Sequence, residues 1–290
     1  LSRIKKMKSF KAYLVEEKRL DKKFLKRATS VKNFDLRASD FQTLKYKKEI
    51  QHLYATYWFR GDPEGIPAFD LSKTQKGFNM DALNKQIGWL KKNNRKYFNM
   101  LYSQTPKGVG PGELLFYFLI DDAVVGGGAS AGADVILVGG KEYELKASQV
   151  SGDGKSVYHF KLGGTQDLSK IQAQAKKLFD DAKKRGIKGL ETKGKGELEL
   201  GPGKINILRK EYPKEWSKIE KDYAIVASKY FGKQNIVFLK NNNETVADVE
   251  GNKRKMPVGT IAAVKMGGVK ASDISIDSFT SGTVKPRVNI

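Results

Sequence analysis

A chain of 290 residues with 39% hydrophobic residues is long enough for a buried core, as one large domain or two ordinary ones. It has no cysteine and only two histidines, His52 and His159, which excludes a disulfide framework, a thiolate zinc site, an iron–sulfur cluster, a cysteine nucleophile and a His-rich metal site. With 54 Lys and Arg against 32 Asp and Glu the formal charge is +22, a balance that points to a polyanionic partner, because clustered cations release counterions from phosphates.

The opening Leu1-Ser2-Arg3-Ile4-Lys5-Lys6 is basic with no apolar segment behind it, so it does not read as a secretory signal, and Met7 is a candidate natural start. No apolar run approaches the roughly 18 residues of a membrane-spanning helix. The first hundred residues read as helical. Phe10, Tyr13, Leu14, Leu20, Phe24 and Leu25 make an amphipathic stripe among lysines. Ser39 or Asp40 is placed to cap a second helix through Leu53, Tyr57 and Trp58, and Gly61-Asp62-Pro63-Glu64-Gly65 breaks it. A third follows Asp81 as N-cap, with Leu83, Ile87, Leu90, Phe98 and Leu101 near 3.6-residue spacing.

The texture then changes. A Gly- and Pro-rich lead-in, residues 106–112, precedes an apolar helix from Glu113 to about Ile120. Strands are predicted at 133–138, 142–147 and 157–162, with Gly139-Gly140 as a tight turn between the first two. A helix spans about 168–184 and another 215–230. Further strands are predicted at 205–208, 235–239, 259–264, 274–279 and 284–290. Asn241-Asn242-Asn243 and Lys253-Arg254-Lys255 read as exposed loops. The pattern is mixed α/β, in three parts: a basic helical region (1–105), an α/β core (106–245) and a β-rich C-terminal extension (246–290).

Charge is unevenly spread. Residues 1–50 carry 16 basic and 6 acidic side chains, whereas residues 101–150 carry 3 and 6. An acidic window inside a basic protein is the pattern of a divalent-cation site beside a phosphate-binding surface. Within that window Asp134 opens one strand and Glu144-Leu145-Lys146 lies on the next. Strand alternation puts Glu144 and Lys146 on one face and Leu145 on the other. Pairing across Gly139-Gly140 would bring Asp134 near Glu144, and Glu113 at the start of the apolar helix can reach the same point. Mg²⁺ takes oxygen ligands, usually one or two carboxylates plus waters and phosphate oxygens, and a nearby ammonium can handle a nucleophilic water or developing charge.

The ordered set Gly112-Glu113, Asp134, Glu144-Leu145-Lys146 resembles the PD-(D/E)XK nuclease superfamily. The close resemblance covers Gly110–Gln149, with Ala133 where that family usually has proline. The runs Gly110-Pro111-Gly112-Glu113-Leu114-Leu115 and Glu144-Leu145-Lys146-Ala147-Ser148 look most like phage-encoded members. The resemblance implies an α-β-β-β-α-β restriction-endonuclease-like core and Mg²⁺-dependent phosphodiester hydrolysis, with Mn²⁺ as a substitute. It implies metal binding by Asp134, Glu144 and the Leu145 carbonyl, support from Glu113 and a catalytic ammonium at Lys146. DNA is the expected partner and RNA the alternative polyanion, with no membrane partner and the oligomeric state left open. The expected location is cytoplasmic, in a host cell if the chain is phage-encoded, or in a virion. A second reading is a non-catalytic nucleic-acid-binding or virion component that retains a nuclease fold. Lys183, Lys184 and Arg185 at a helix C-terminus are candidate phosphate contacts, although the helix dipole explains them equally. Gly189 to Gly196 mimics a phosphate loop without the Ser/Thr after Lys195, and His159 reads as a structural histidine.

Overall fold

The computed structural model describes residues 36–51, 74–93, 95, 98–99, 101, 109–110, 112–126, 133–162, 166–191, 198–242, 244–247, 253–256, 259–280 and 283–290. The helix expected over residues 10–25, the stretch from Leu53 to Trp58 and Gly194–Gly196 lie outside them. The chain packs as two compact units, Leu1–Tyr143 with Asn243–Thr260, and Glu144–Asn242 with Ile261–Ile290. These units are drawn by packing; the division at 105 and 245 is one of expected function.

In the first unit, the helix expected after Ser39 or Asp40 is interrupted. Helix α1 (Ala38–Phe41) is a single turn, in which the Asp40 carboxylate accepts from the Arg37 amide at 3.0 Å instead of capping a later helix. The Thr43 hydroxyl then accepts from the Lys45 amide at 3.1 Å, a local bond that competes with helix continuation, and helix resumes at 47. Helix α2 (Met80–Asn93) buries Leu83, Ile87 and Leu90 as the spacing predicts. Its cap is Asn79, whose Oδ1 accepts from the Ala82 amide at 3.0 Å; Asp81 lies inside the first turn, where its charge suits the helix N-terminus.

Helix α3 (Glu113–Leu119) is apolar all round after Glu113, and Leu114 to Leu119 are all buried, as a helix without a polar stripe requires. Tyr117 packs edge-on to Phe41 at 5.4 Å, and Phe78 stacks between Phe116 and Tyr143 at 5.9 and 4.6 Å. Strand β1 (Ala123–Val125), where sequence patterning predicts no element, pairs antiparallel with β2 (Val135–Leu137). Strand β3 (Glu142–Val150) follows the predicted turn, Gly139 and Gly140 both having positive φ, and its first two residues pair with β2.

In the second unit, β3 continues beside β4 (Ser156–Tyr158), shorter than the predicted 157–162 because His159 turns off the ladder with φ of 64°. Helix α4 (Gln166–Lys184) follows, then α5 (Pro202–Glu211) and α6 (Pro213–Phe231). The strand expected at 205–208 is therefore part of α5. Pro202, at the first helical turn, starts it, and Ile205 and Leu208, three apart, both face the core. Strand β5 (Asn235–Lys240) pairs with β3 and, antiparallel, with β8 (Ile261–Lys265). A 3₁₀ turn (Ala271–Asp273) leads into β9 (Ile274–Thr280), which pairs with β10 (Thr283–Asn289), and β10 pairs with β4. The helices cover one apolar core in which Trp216 meets Phe279 at 6.3 Å and Phe160 meets Phe238 at 5.4 Å.

The remaining pair belongs to the first unit. Strand β6 (Glu244–Ala247) runs antiparallel to β7 (Lys253–Met256). The basic run Lys253–Lys255 is thus a strand and not a loop, since its backbone pairs residue for residue with Ala247, Val246 and Thr245. The fold is mixed α/β with antiparallel strand pairing. Among the described residues no helix is long and apolar enough to cross a membrane.

Candidate functional site

Strand β3 sets the geometry of the motif. Glu144 and Lys146 are two residues apart and share a face, as the period of two demands. The Lys146 ammonium donates to the Glu144 carboxylate and lies 3.4 Å from the Tyr230 hydroxyl and 5.5 Å from its ring centroid. Both charged side chains are largely covered, 16% and 11% exposed. Tyr230, on the last turn of α6, is only partly buried. A pair this covered is held mainly by geometry, because desolvation offsets much of the Coulomb attraction. Leu145, on the opposite face, is half-buried, and deeper along the strand Ser148 Oγ contacts the Leu239 carbonyl at 3.5 Å.

Asp134 belongs to the first unit and sits one residue before β2. Its backbone is fixed from both sides: its amide donates to the Tyr143 carbonyl at 3.0 Å, and its carbonyl accepts from the Gly126 amide at 2.9 Å. Tyr143 immediately precedes Glu144 in the chain. A glycine is required at 126, because a Cβ there would fall 1.7 Å from the Ala133 carbonyl oxygen. Glu113 opens α3 behind Gly112, whose φ is +89°. Its carboxylate folds back over Gly110, occupying the place where a side chain on that residue would lie, 2.2 Å from an ideal Cβ.

Among the described residues no three His, Cys, Asp or Glu side chains are grouped to hold a metal ion. The candidate donors are nevertheless all oxygen, and Mg²⁺ needs only one or two carboxylates beside water and substrate. In kind, Asp134, Glu144 and the Leu145 carbonyl fit that ion.

Lys183, Lys184 and Arg185 are exposed at the end of α4. Lys183 lies 5.5 Å from the Phe179 ring centroid and Arg185 5.4 Å from that of Tyr212. Tyr212 donates to Asp181 at 2.7 Å. Its hydrogen bond holds the Arg185 guanidinium above its ordinary value. One face of Arg185 is therefore used within the fold, leaving Lys184 as the group of the three with neither ring contact.

Two groups, one in each unit, gave no sequence signal. Tyr230 is 84 residues from Lys146 and reaches it only because α6 ends beside β3. Lys47, buried in the first unit, donates to the carbonyls of Ile120 (2.6 Å) and Ala123 (2.5 Å) and lies 4.4 Å from the Tyr117 ring centroid. Burial lowers its pKa to about 7, against the opposing pull of Asp121 and Asp122. The same Asp122 adds to burial in raising the Tyr143 phenol. Part of the acidic window thus serves a buried lysine. A lysine among many lysines carries no mark of this in the sequence.

Comparison with family models, with curated proteins and with solved structures finds no match.

Proposed function

We propose that this chain is a Mg²⁺-dependent endonuclease that hydrolyses phosphodiester bonds in DNA, of the PD-(D/E)XK type and phage-encoded. The observation that carries the reading is the Glu144–Lys146 pair on one face of β3, with Tyr230 against the ammonium and part of the cluster open to solvent. The element order supports it: α3 with Glu113, β1, Asp134 at the mouth of β2, Glu144 and Lys146 on β3, helices, then β5 beside β3. In this reading the core is restriction-endonuclease-like, with β4, α5 and α6 as additions.

Asp134, Glu144 and the Leu145 carbonyl would hold the ion, with Glu113 in support. Bound Mg²⁺ supplies Lewis acidity, lowering the pKa of an attacking water and screening charge on phosphorus. Lys146 orients or deprotonates that water, or stabilises the added negative charge, and Tyr230 and Glu144 fix where its ammonium sits. The basic N-terminal region, 1–105, supplies nonspecific phosphate affinity.

The second reading, a nucleic-acid-binding or virion component without catalysis, is favoured by one fact: the Lys146 ammonium and the Glu144 carboxylate pair with each other within the chain. Incubation with plasmid and with single-stranded DNA, in Mg²⁺, Mn²⁺ or EDTA, separates the two. Cleavage that needs the metal supports the nuclease; binding with no cleavage under any condition supports the alternative.

A further inference from the structure

A second polar cluster lies in the other half of the second unit, where β4, β9 and β10 meet. Its centre is Lys285, a buried residue whose ammonium lies 3.3 Å from Nε2 of His159. It forms no ion pair among the described residues. His159 is itself exposed, and among the described residues it is the one non-glycine with positive φ. A positive φ is uncommon outside glycine, histidine being among the residues that adopt it more readily, and such backbone gathers at functional positions.

The third irregularity is at the same place. The register between β9 and β10 slips so that Ser278 faces Lys285 while Ile276 faces Pro286. Asp277 is the extra residue, and β-bulges recur where a sheet re-aims side chains for function. The Asp277 carboxylate is buried but committed: one oxygen accepts from Arg287 at 3.1 Å, the other from Ser278 at 3.1 Å. Arg287 also donates to Ser156 at 3.0 Å and lies 4.4 Å from the Tyr158 ring centroid. Lys161, exposed two residues past His159, adds a further positive charge acting on Lys285. Asp277 is the carboxylate that acts on Lys285, and it is shared with Arg287, on which Asp153 also acts. A buried ammonium normally has a counter-ion. Here the side open to solvent carries an imidazole and another lysine.

We infer that Lys285 and His159, flanked by Lys161, form a binding site for a phosphate group, distinct in its residues from Glu144 and Lys146. Lys285 supplies the fixed charge, and Arg287 and Asp277 hold the strands that position it. His159 is the gate residue: its Nε2 faces the Lys285 ammonium as an acceptor and becomes a donor to an anion in the tautomer that carries the ring proton there. Burial and Lys161 both push the Lys285 ammonium toward losing its proton, against Asp277, and an anion bound there would reverse that pressure. The inference goes beyond the nuclease reading and does not depend on it.

The test uses the full chain, labelled at histidine and observed by NMR in EDTA. With two histidines in the sequence, the resonances of His159 and His52 are assigned by substitution. Inorganic phosphate and a short single-stranded deoxyoligonucleotide are titrated separately. A saturable shift at His159 with both supports a site that reads any phosphate. A shift with phosphate alone assigns it to a free phosphate or monoester, and one with the oligonucleotide alone to a nucleic-acid backbone. Lys285→Met should remove the shift and weaken affinity by about tenfold or more, the value of a hydrogen bond to a charged group. His159→Asn, which keeps the left-handed backbone, serves as a second variant read by calorimetry and should weaken phosphate binding if Lys285→Met does not fold. No saturable shift with either probe, an equal shift at His52, or a folded variant of either kind with undiminished affinity overturns the inference. Absence of DNA cleavage would leave these readouts unchanged, since they measure binding.

Discussion

Lys146 and Glu144, two residues apart on β3, meet each other on the face where Tyr230 closes over the ammonium. Removing Lys146 leaves the Glu144 carboxylate largely covered without this ammonium, and that cost must be separated from any catalytic loss. Lys146→Ala should lower turnover by at least about 10²-fold, as for a lost acid–base group. DNA affinity should change little, since one lysine among many phosphate contacts matters little. Single-turnover cleavage and a binding isotherm on the same preparation, with circular dichroism as a check on folding, measure all three.

Asp134→Asn and Glu144→Gln should behave differently. Each removes a negative ligand, so Mg²⁺ occupancy and hydrolysis fall together. Each also removes repulsion against phosphate, so DNA affinity measured in EDTA holds or rises. Metal binding followed by calorimetry, beside a filter-binding assay, checks both directions.

Gly110 and Gly126 offer a paired test of site against scaffold. At Gly126 a Cβ meets a backbone carbonyl oxygen at 1.7 Å, which cannot yield cheaply. Gly126→Ala should therefore destabilise by about 1–3 kcal/mol, as overpacking does. At Gly110 the obstacle is the end of the Glu113 side chain, which can swing away. Gly110→Ala should leave the melting temperature nearly unchanged and alter cleavage only if Glu113 supports the site.

Lys47 predicts a pH dependence of stability. Its folded pKa of about 7 lies below the ordinary 10.5, so between those values the unfolded chain binds more protons. Stability therefore rises with pH across that window, the penalty for a buried charge being full below about pH 7 and lost progressively as pH climbs to 10.5. Lys285, also lowered, acts in the same sense. Lys47→Met should flatten the rise. It should also lower stability by about 1–3 kcal/mol through the Ala123 carbonyl, which loses the Lys47 donor, whereas the Ile120 carbonyl keeps the Ala123 amide at 3.2 Å. Chemical denaturation at pH 6, 8 and 10 reads both effects.

The charge of +22 predicts steep salt dependence of DNA binding. A protein making roughly 6–10 phosphate contacts loses about 10³–10⁵ in affinity between 50 and 200 mM salt. Deleting residues 1–32, rich in lysine, should flatten that slope; an unchanged slope would reassign those lysines to another role.

What was legible in the sequence was what local pattern encodes. Leu114–Leu119 has no polar stripe and is buried throughout; Gly139-Gly140 turns; Glu144 and Lys146 share a face. Ile205–Leu208 misled because four residues of mixed apolar character suit a strand or a buried helix turn alike, and the arbiter, Pro202, lies outside that window. Asn79 and Asp81 are both good caps, and only the Ala82 amide shows which one serves. Lys253–Lys255 reads as a loop because its charge suggests exposure, whereas its strand pairing with Thr245–Ala247 depends on a partner that the run itself does not announce. Tyr230 and Lys47 were illegible for a different reason: their roles come from partners 84 and 73 residues away. The His159–Lys285 contact, across 126 residues, is of the same kind.

Glu244 joins Lys91 at 2.7 Å and also pairs with Arg95, closing the first unit across 153 residues of intervening chain. During synthesis the unit cannot take this contact when its helices emerge from the ribosome. At about 5–20 residues per second, Lys91 and Arg95 wait roughly eight to thirty seconds for their carboxylate, while most of the second unit is made in between. A nascent chain stalled short of residue 244 should therefore expose α2 to proteases that spare it in the finished protein.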